Sequence, residues 1–331
     1  MAIAIGNEIG CRLGLVAPGA FHDVGQHPTS VLGTPAAALV AGKLMRLNAA
    51  QLAWALGISA SQGSGVLEAY SDGTWSKTLH PGWAAHAGII AATLAQSGFT
   101  GPPTGLDGRY GLFPTHVQQA KLDYRAATDG LGKRWHSLET AFKLYPNAHS
   151  IHAFAEAALS LRAKHRLSPS RIASVVLDIP AGFVGQIAEP RSAKLAPRTT
   201  THARASVLYA VAAALTQGRL GMSDYTDEAI ARPEVLDLCQ RITHRVQAQP
   251  DGPIRFSGAV EITLTGGRVL QLALDEADGT GARLLPPERL EEKFRMTAAS
   301  VLPRKRIETV ISLCREIGTL KNIDSLLEAT S

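Results

Sequence analysis

The chain has 331 residues, 45% hydrophobic and 18% charged, which suits about two folded domains and excludes a chain disordered throughout. The net charge of +5 is spread thinly, the densest basic run being Pro303-Arg304-Lys305-Arg306, and aromatics are only 5%, so small polyanions fit better than nucleic acid. Cys11, Cys239 and Cys314 lie too far apart for a disulfide scaffold or a zinc knuckle, and apolar stretches such as 84–95, with His86 and Thr93 inside, fall short of a membrane span.

Residues 1–14 have no basic leader, and Glu8 and Arg12 interrupt their apolar run, so they are not a signal peptide and a cytoplasmic protein is expected. They read as an amphipathic helix entered without a Ser, Thr, Asp or Asn cap, as though the chain began inside an element. Thr34-Pro35 predicts a helix start, with Thr34 as cap, Pro35 at the first helical position and the helix over 36–46. Asn48 and Gln51 have capping-box spacing and open a second helix that carries Leu52, Ala55, Leu56 and Ser59 on one face. Pro81-Gly82 predicts the start of a third helix over 83–97, closed by Gly98. The many alanines and glycines let such helices approach closely, as in a compact helical domain.

The pattern changes near residue 140. The β-branched run 172–179 reads as a strand. Residues 260–264 alternate apolar with polar, Thr265-Gly-Gly-Arg268 turns, and 269–274 return, which predicts a hairpin. Helices are expected over 149–165 and 203–217, and again over 288–298 and 304–316. The predicted fold is mainly α with a smaller α+β domain: a discontinuous helical domain of residues 1–138 and 286–331, and an inserted α+β domain of 139–285 with one sheet.

Three segments carry residues suited to chemistry. His22 and His27 lie in a Gly/Pro-bounded loop leading into a helix start, where unpaired N–H groups favour a carboxylate. Ser71-Asp-Gly-Thr-Trp-Ser-Lys77-Thr-Leu-His80-Pro-Gly82 brings a lysine, a histidine and another helix start together. Lys143-Leu-Tyr145-Pro-Asn147-Ala-His149-Ser-Ile-His152 sets two histidines at i and i+3, with no carboxylate or cysteine beside them that would argue for a metal. Taken alone, each of the first two segments reads equally well as an ordinary solvated loop, and Tyr209 reads as core packing. No nucleophile elbow, phosphate-binding loop or dinucleotide fingerprint is found.

Gln26-His-Pro-Thr-Ser-Val-Leu-Gly-Thr34, Gly73-Thr-Trp-Ser-Lys-Thr-Leu-His-Pro-Gly-Trp-Ala-Ala85, Gly98-Phe-Thr-Gly-Pro102, Lys143-Leu-Tyr-Pro146 and Ala203-Arg-Ala-Ser-Val-Leu-Tyr209 occur in this order. Together they closely resemble the MmgE/PrpD family, which includes 2-methylcitrate dehydratases and cis-aconitate decarboxylases. The resemblance implies a homodimer, an active site between the helical and α+β domains, a small carboxylate substrate, and no metal or organic cofactor. Carried over by motif, His27 matches the family's active-site histidine, Lys77 and Lys143 its lysines, and Tyr209 its tyrosine. His149 or His152 matches the histidine after the Tyr-Pro turn. The implied roles are acid/base work for His27, carboxylate clamping for Lys77 and Lys143, proton donation or orientation for Tyr209, a secondary catalytic part for His149 and substrate contact for His152. The family's upstream helical segment, with an Asp, a Thr and a His-Pro step, has no counterpart before Met1, so an N-terminally shortened member is expected. The expected activity is dehydration of a 2-methylcitrate-like di- or tricarboxylate. Decarboxylation or epimerisation of a related acid is the near alternative, and a catalytically impaired carboxylate-binding or partner subunit the other.

Overall fold

The structure is a computed structural model that describes residues 1–118, 120–248, 255–281 and 283–331. The chain is mainly helical with one four-stranded sheet, and it divides into two units, Met1–Thr140 and Ala141–Ser331. No helix among the described residues is long and apolar enough to cross a membrane.

The first unit opens with α1 (Ala2–Val16), which has no side-chain cap. Glu8 and Arg12, which break the apolar run of the sequence, are both buried, and Arg12 Nε lies 2.6 Å from Glu8 Oε1. The Arg12 guanidinium also donates to the carbonyls of Asp129 and Arg134, each at 2.8 Å, and Glu8 Oε2 accepts the Ser137 N–H at 2.9 Å. A buried ion pair is tolerable when further hydrogen bonds satisfy its remaining groups, and these pin residues 129–137 against α1.

The next helices depart from the sequence expectation at their starts. A short α2 (Pro28–Val31) has His27 as its cap residue and Pro28 at the first helical position, and α3 (Gly33–Leu44) follows at once. Thr34 is therefore inside a helix rather than capping one, and its hydroxyl donates to the Ser30 carbonyl at 2.9 Å. In α4 (Ala49–Ala60) the capping box forms as predicted, with Gln51 N–H donating to Asn48 Oδ1 at 3.0 Å and Asn48 N–H to Gln51 Oε1 at 3.1 Å. The long α5 (Ser76–Gln96) begins more than a turn before Pro81, so that proline lies inside it. The cost is one missing bond, to the Lys77 carbonyl, which the packing of the helix offsets.

That packing is very close. A Cβ on Gly88 would sit 2.5 Å from Ala37 Cβ and 2.6 Å from Ala38 N, so α3 and α5 meet almost backbone to backbone. A glycine is needed at that crossing because no side chain fits there.

The second unit is built on β1 (Ile172–Pro180), β2 (Ile242–Gln247), β3 (Gly258–Leu264) and β4 (Val269–Leu274), in the order β2-β1-β3-β4. β3 and β4 are the predicted hairpin, with Gly267 at φ +82° in its turn. β2, which the sequence reading omits, runs parallel to β1 with Ile242 opposite Val175. Before β1, a 3-10 turn over His149–Ile151 leads into α6 (His152–His165), which replaces the single helix expected over 149–165. After β1 come α7 (Ala181–Ile187), α8 (Arg191–Leu195), α9 (Thr200–Arg204), α10 (Val207–Gln217) and α11 (Pro233–Gln240). The helix expected over 203–217 breaks because Ser206 caps α10, its Oγ accepting the Tyr209 N–H at 3.1 Å. α10 is buried from Val207 through Leu215, as suits a helix that is apolar all round. The tail helices α12 (Pro287–Ala298), α13 (Arg304–Arg315) and α14 (Asp324–Thr330) also fall in this unit.

Replacing Gly88 with Val forces α3 and α5 apart and is expected to destabilise the protein by about 1–3 kcal/mol or more. Gly82→Ala, where an added Cβ meets nothing within 4 Å, is the control and leaves stability unchanged or slightly raised. Thermal unfolding of the two variants measures the difference, and equal midpoints would refute the close crossing.

Candidate active site

In the first unit, residues 25–27 pair with 65–67: His27 N–H donates to the Gly65 carbonyl and Leu67 N–H to that of Gly25, both at 2.8 Å, around a bridge between Gln26 and Val66. This holds His27 in extended conformation just before Pro28, and the Ser30 N–H closes the turn by donating to the His27 carbonyl at 2.9 Å. Gly65 makes the arrangement possible. Its φ is +145°, and a Cβ there would come within 2.7 Å of Ser30 Cβ and 3.4 Å of the His80 ring.

His80 is buried in α5, one turn beyond Lys77. Its Nδ1 lies 2.9 Å from His27 Nδ1, with ring centroids 5.0 Å apart. Two ring nitrogens at that distance share one proton, so the two rings are not both cationic while the contact lasts. Burial and then the Lys77 ammonium hold His80 below the ordinary imidazole range. The same two causes lower His22, against Asp23. Lys77 is half-buried, with its ammonium 5.3 Å from the centroid of the Tyr70 ring. The cluster thus presents an imidazole pair poised to move a proton and an ammonium able to hold a carboxylate.

In the second unit, His149 and His152 converge. His149 stacks on Phe256, centroids 4.3 Å apart and planes within 3°, and Phe183 also stacks on Phe256, at 5.5 Å. The His149 and His152 rings are 5.1 Å apart, and Tyr145 meets His152 edge-on at 5.3 Å. Burial, then the Lys143 charge, pushes His149 down to about 4. Burial, then His149, then Lys143, pushes the wholly buried His152 down to about 3. Burial raises the Tyr145 phenol to about 12. Both histidines are therefore neutral at physiological pH and available as hydrogen-bond acceptors. Lys143 itself is exposed, and its carbonyl accepts a bond from Lys293 Nζ on α12.

The polar groups here are unusually short of partners. Among the described residues nine buried side-chain atoms lack a hydrogen bond, and five of them belong to Asn147, His149, His152 and Arg204. Buried polar groups are normally satisfied, so these atoms call for partners, from water or from a bound molecule. No three His, Cys, Asp or Glu side chains among the described residues converge in the way a metal needs.

Tyr209 does not join this cluster. It is buried in α10 with 1% exposure, and its hydroxyl donates to the Asp224 carbonyl at 2.5 Å and to that of Ala229 at 3.2 Å. Its proton is committed to the main chain, and burial raises the phenol further, so the motif-based role as proton donor gives way to a core anchor. His80, Phe256 and Arg204 are the site residues that sequence reasoning left out of the functional set. His80 carried a local signal, its i, i+3 spacing from Lys77, and Arg204 stands in the Ala203–Tyr209 motif, whereas Phe256 carried none.

Comparison with known sequences follows this geometry. Residues 1–125 match the MmgE/PrpD N-terminal domain and residues 145–317 the MmgE/PrpD C-terminal domain. The chain belongs to the MmgE/PrpD family. This family member is 28% identical over 346 residues to a cis-aconitate decarboxylase of Aspergillus terreus, covering 99% of the chain and 69% of that protein. It is 30% identical over 310 residues to the cis-aconitate decarboxylase of Homo sapiens, covering 91% of the chain and 62% of that protein. The enzyme of the same name from Mus musculus is 28% identical over 312 residues, with 91% and 61% covered. This MmgE/PrpD protein thus spans about two-thirds of the length of the relatives it matches.

The depressed imidazoles give the second unit a defined acid sensitivity. The unfolded chain takes up a proton at each near pH 6.5, whereas the folded turn refuses it until about 4 for His149 and about 3 for His152. Stability is therefore full above pH 6.5 and falls on acidification, by about 1.4 kcal/mol per pH unit for each imidazole. His152→Leu, which cannot take the proton, is expected to flatten the fall in unfolding midpoint between about pH 6.5 and 4.5. Unchanged slopes in the two proteins would show that another group is responsible.

Proposed function

We propose that this chain performs lyase chemistry on a small di- or tricarboxylate. The names of its relatives favour decarboxylation of a cis-aconitate-like acid. The single observation that carries the reading is the Nδ1-to-Nδ1 contact of His27 and His80 beside the Lys77 ammonium. In decarboxylation the carbon–carbon bond to one carboxylate breaks and carbon dioxide leaves. The electron pair left behind spreads into the adjoining unsaturated acid, and an imidazolium returns a proton to carbon. Lys77 is assigned to a carboxylate of the substrate, where fixed positive charge lowers the energy of the developing carbanion. His27 with His80 is assigned the proton transfer, because their shared Nδ1 contact lets one ring take up a proton as the other gives one. On the second unit, Lys143, His149 and His152 are separate candidates for contact with a carboxylate, as the family resemblance implies. No cofactor is part of the proposal.

Dehydration of a 2-methylcitrate-like hydroxy acid is the second reading, supported by the same residues. There an imidazole takes the proton next to a carboxylate and the hydroxyl leaves as water. The product tells the two apart: carbon dioxide and an acid with one carboxylate fewer, or an unsaturated acid with all its carboxylates.

The test is turnover of cis-aconitate and, separately, of 2-methylcitrate, followed by proton NMR. His27→Ala is expected to lower kcat by about 10²–10⁴-fold. Lys77→Met is expected to raise KM and to lower kcat/KM by about tenfold or more, since one charge-assisted hydrogen bond is lost. Turnover untouched by either change, or absent with both acids in the folded protein, would overturn the reading.

A homodimer belongs to the same proposal. Its support is an apolar stripe that starts at Trp75, just before α5, and continues on it through Leu79, Trp83 and Ile90, these four being 78%, 64%, 40% and 37% exposed. Sedimentation is expected to give twice the chain mass for the protein and the single-chain mass for Leu79→Glu. A monomer in the unchanged protein would refute it.

A further inference from the structure

The His149–Ile151 turn hangs from two supports. Its Ser150 hydroxyl donates to Gln186 Oε1 on α7 at 3.0 Å, and the Ala148 N–H donates to the Arg204 carbonyl at the end of α9 at 2.9 Å. Both supports run back to one side chain. Lys194, on α8 and only 7% exposed, donates from Nζ to the Gln186 carbonyl at 2.7 Å and to the Ala205 carbonyl, next to Arg204, at 2.8 Å. Its own carbonyl accepts the Ser206 hydroxyl at 2.7 Å, and the same Ser206 oxygen caps α10. Among the described residues no carboxylate pairs with this ammonium, and burial alone lowers its pKa to about 8. An uncompensated buried lysine is expensive, and a methionine would fill the same space without that cost. What Met lacks is two donors.

We propose that Lys194 is a positioning residue that sets the His149 and His152 rings by tying together the two supports of their turn. The inference rests on the reading above only in giving those histidines a use. The arrangement itself can be tested without substrate. Lys194 touches no ring of the cluster. It acts by fixing the spacing of Gln186 from Ala205, which sets the positions of Ser150 and Ala148, and so the face that His149 offers to Phe256 and His152.

The experiment uses the full chain labelled with 13C-histidine. Its eleven imidazoles are few enough to resolve, and His149→Asn and His152→Leu identify the two signals. Four further variants are compared: Lys194→Met, Lys194→Gln, Ser150→Ala and Val235→Ala. In Lys194→Met, the His149 and His152 signals are expected to shift and their pKa values to rise by about one unit or more toward the ordinary range, since a loosened turn admits water. The His27 and His80 signals stay in place. Lys194→Gln, whose amide keeps two donors, restores most of the original pattern. Ser150→Ala, which cuts one support alone, moves His149 without touching Lys194. Val235→Ala, a cavity elsewhere in the same core, lowers the melting point and leaves both signals unmoved. The proposal is overturned if Lys194→Met loses stability as Val235→Ala does with both signals unmoved. If Lys194→Met fails to fold, unmoved His149 in Ser150→Ala overturns it equally. Loss of lyase turnover bears on the functional reading alone, because none of these signals depends on it.

Discussion

The near-contact of α3 and α5 is the constraint from which the first unit follows. Helices that meet through Gly88, Ala37 and Ala38 have no side chains to adjust, so their crossing is fixed within a few tenths of an ångström. The first turns of α5 carry Lys77 and His80, and the loop that carries His27 feeds directly through α2 into α3. Locking the two helices therefore locks the two imidazoles together. The place for chemistry on this unit is the end of a rigid crossing, where the pairing of residues 25–27 with 65–67 adds to the hold on the hydrogen bond between the rings.

The second unit solves the same problem by other means. Its histidines sit on a short turn, which packing alone would leave free to rock. Main-chain and side-chain hydrogen bonds from two helices, α7 and α9, hold it, and stacking on Phe256 fixes the tilt of His149. Burial then does the electrostatic work. A neutral imidazole in a dry setting keeps an unshared electron pair that water would otherwise occupy. The same burial makes Tyr209 a poor acid, because a phenol already donating to two carbonyls has no proton to spare.

Local rules in the sequence were readable where the structure obeys them locally. The Asn48–Gln51 box, the β3–β4 hairpin and Gly98 after α5 depend on residues a few positions apart, and each is found where expected. Thr34 and Pro81 carry helix-start signals that were overridden, because the packed helices extend past them. β2 went unread since its partner among the described residues is a parallel strand far back in the chain. For the candidate site, the short motifs identified the residues but not their neighbours. His27 and His80 are 53 positions apart, and nothing near Phe256 marks it as the platform for His149. Lys194 stands in a segment with no motif, and its place at the centre of a hydrogen-bond hub emerges only when three helices are assembled.

The nitrogen-to-nitrogen bond between His27 and His80 links the outward edges of the two rings. When both rings are neutral, the ring whose Nδ1 carries the proton must leave its Nε2 bare, and the ring that receives at Nδ1 must carry hydrogen on Nε2. In that neutral pair the two outer nitrogens are of opposite character, one basic and one donating. A proton hopping 2.9 Å along the inner bond exchanges them only if the outer proton moves as well. A reactant that abstracts at one edge therefore dictates the tautomer at the other, which makes the pair a single bifunctional group rather than two interchangeable imidazoles.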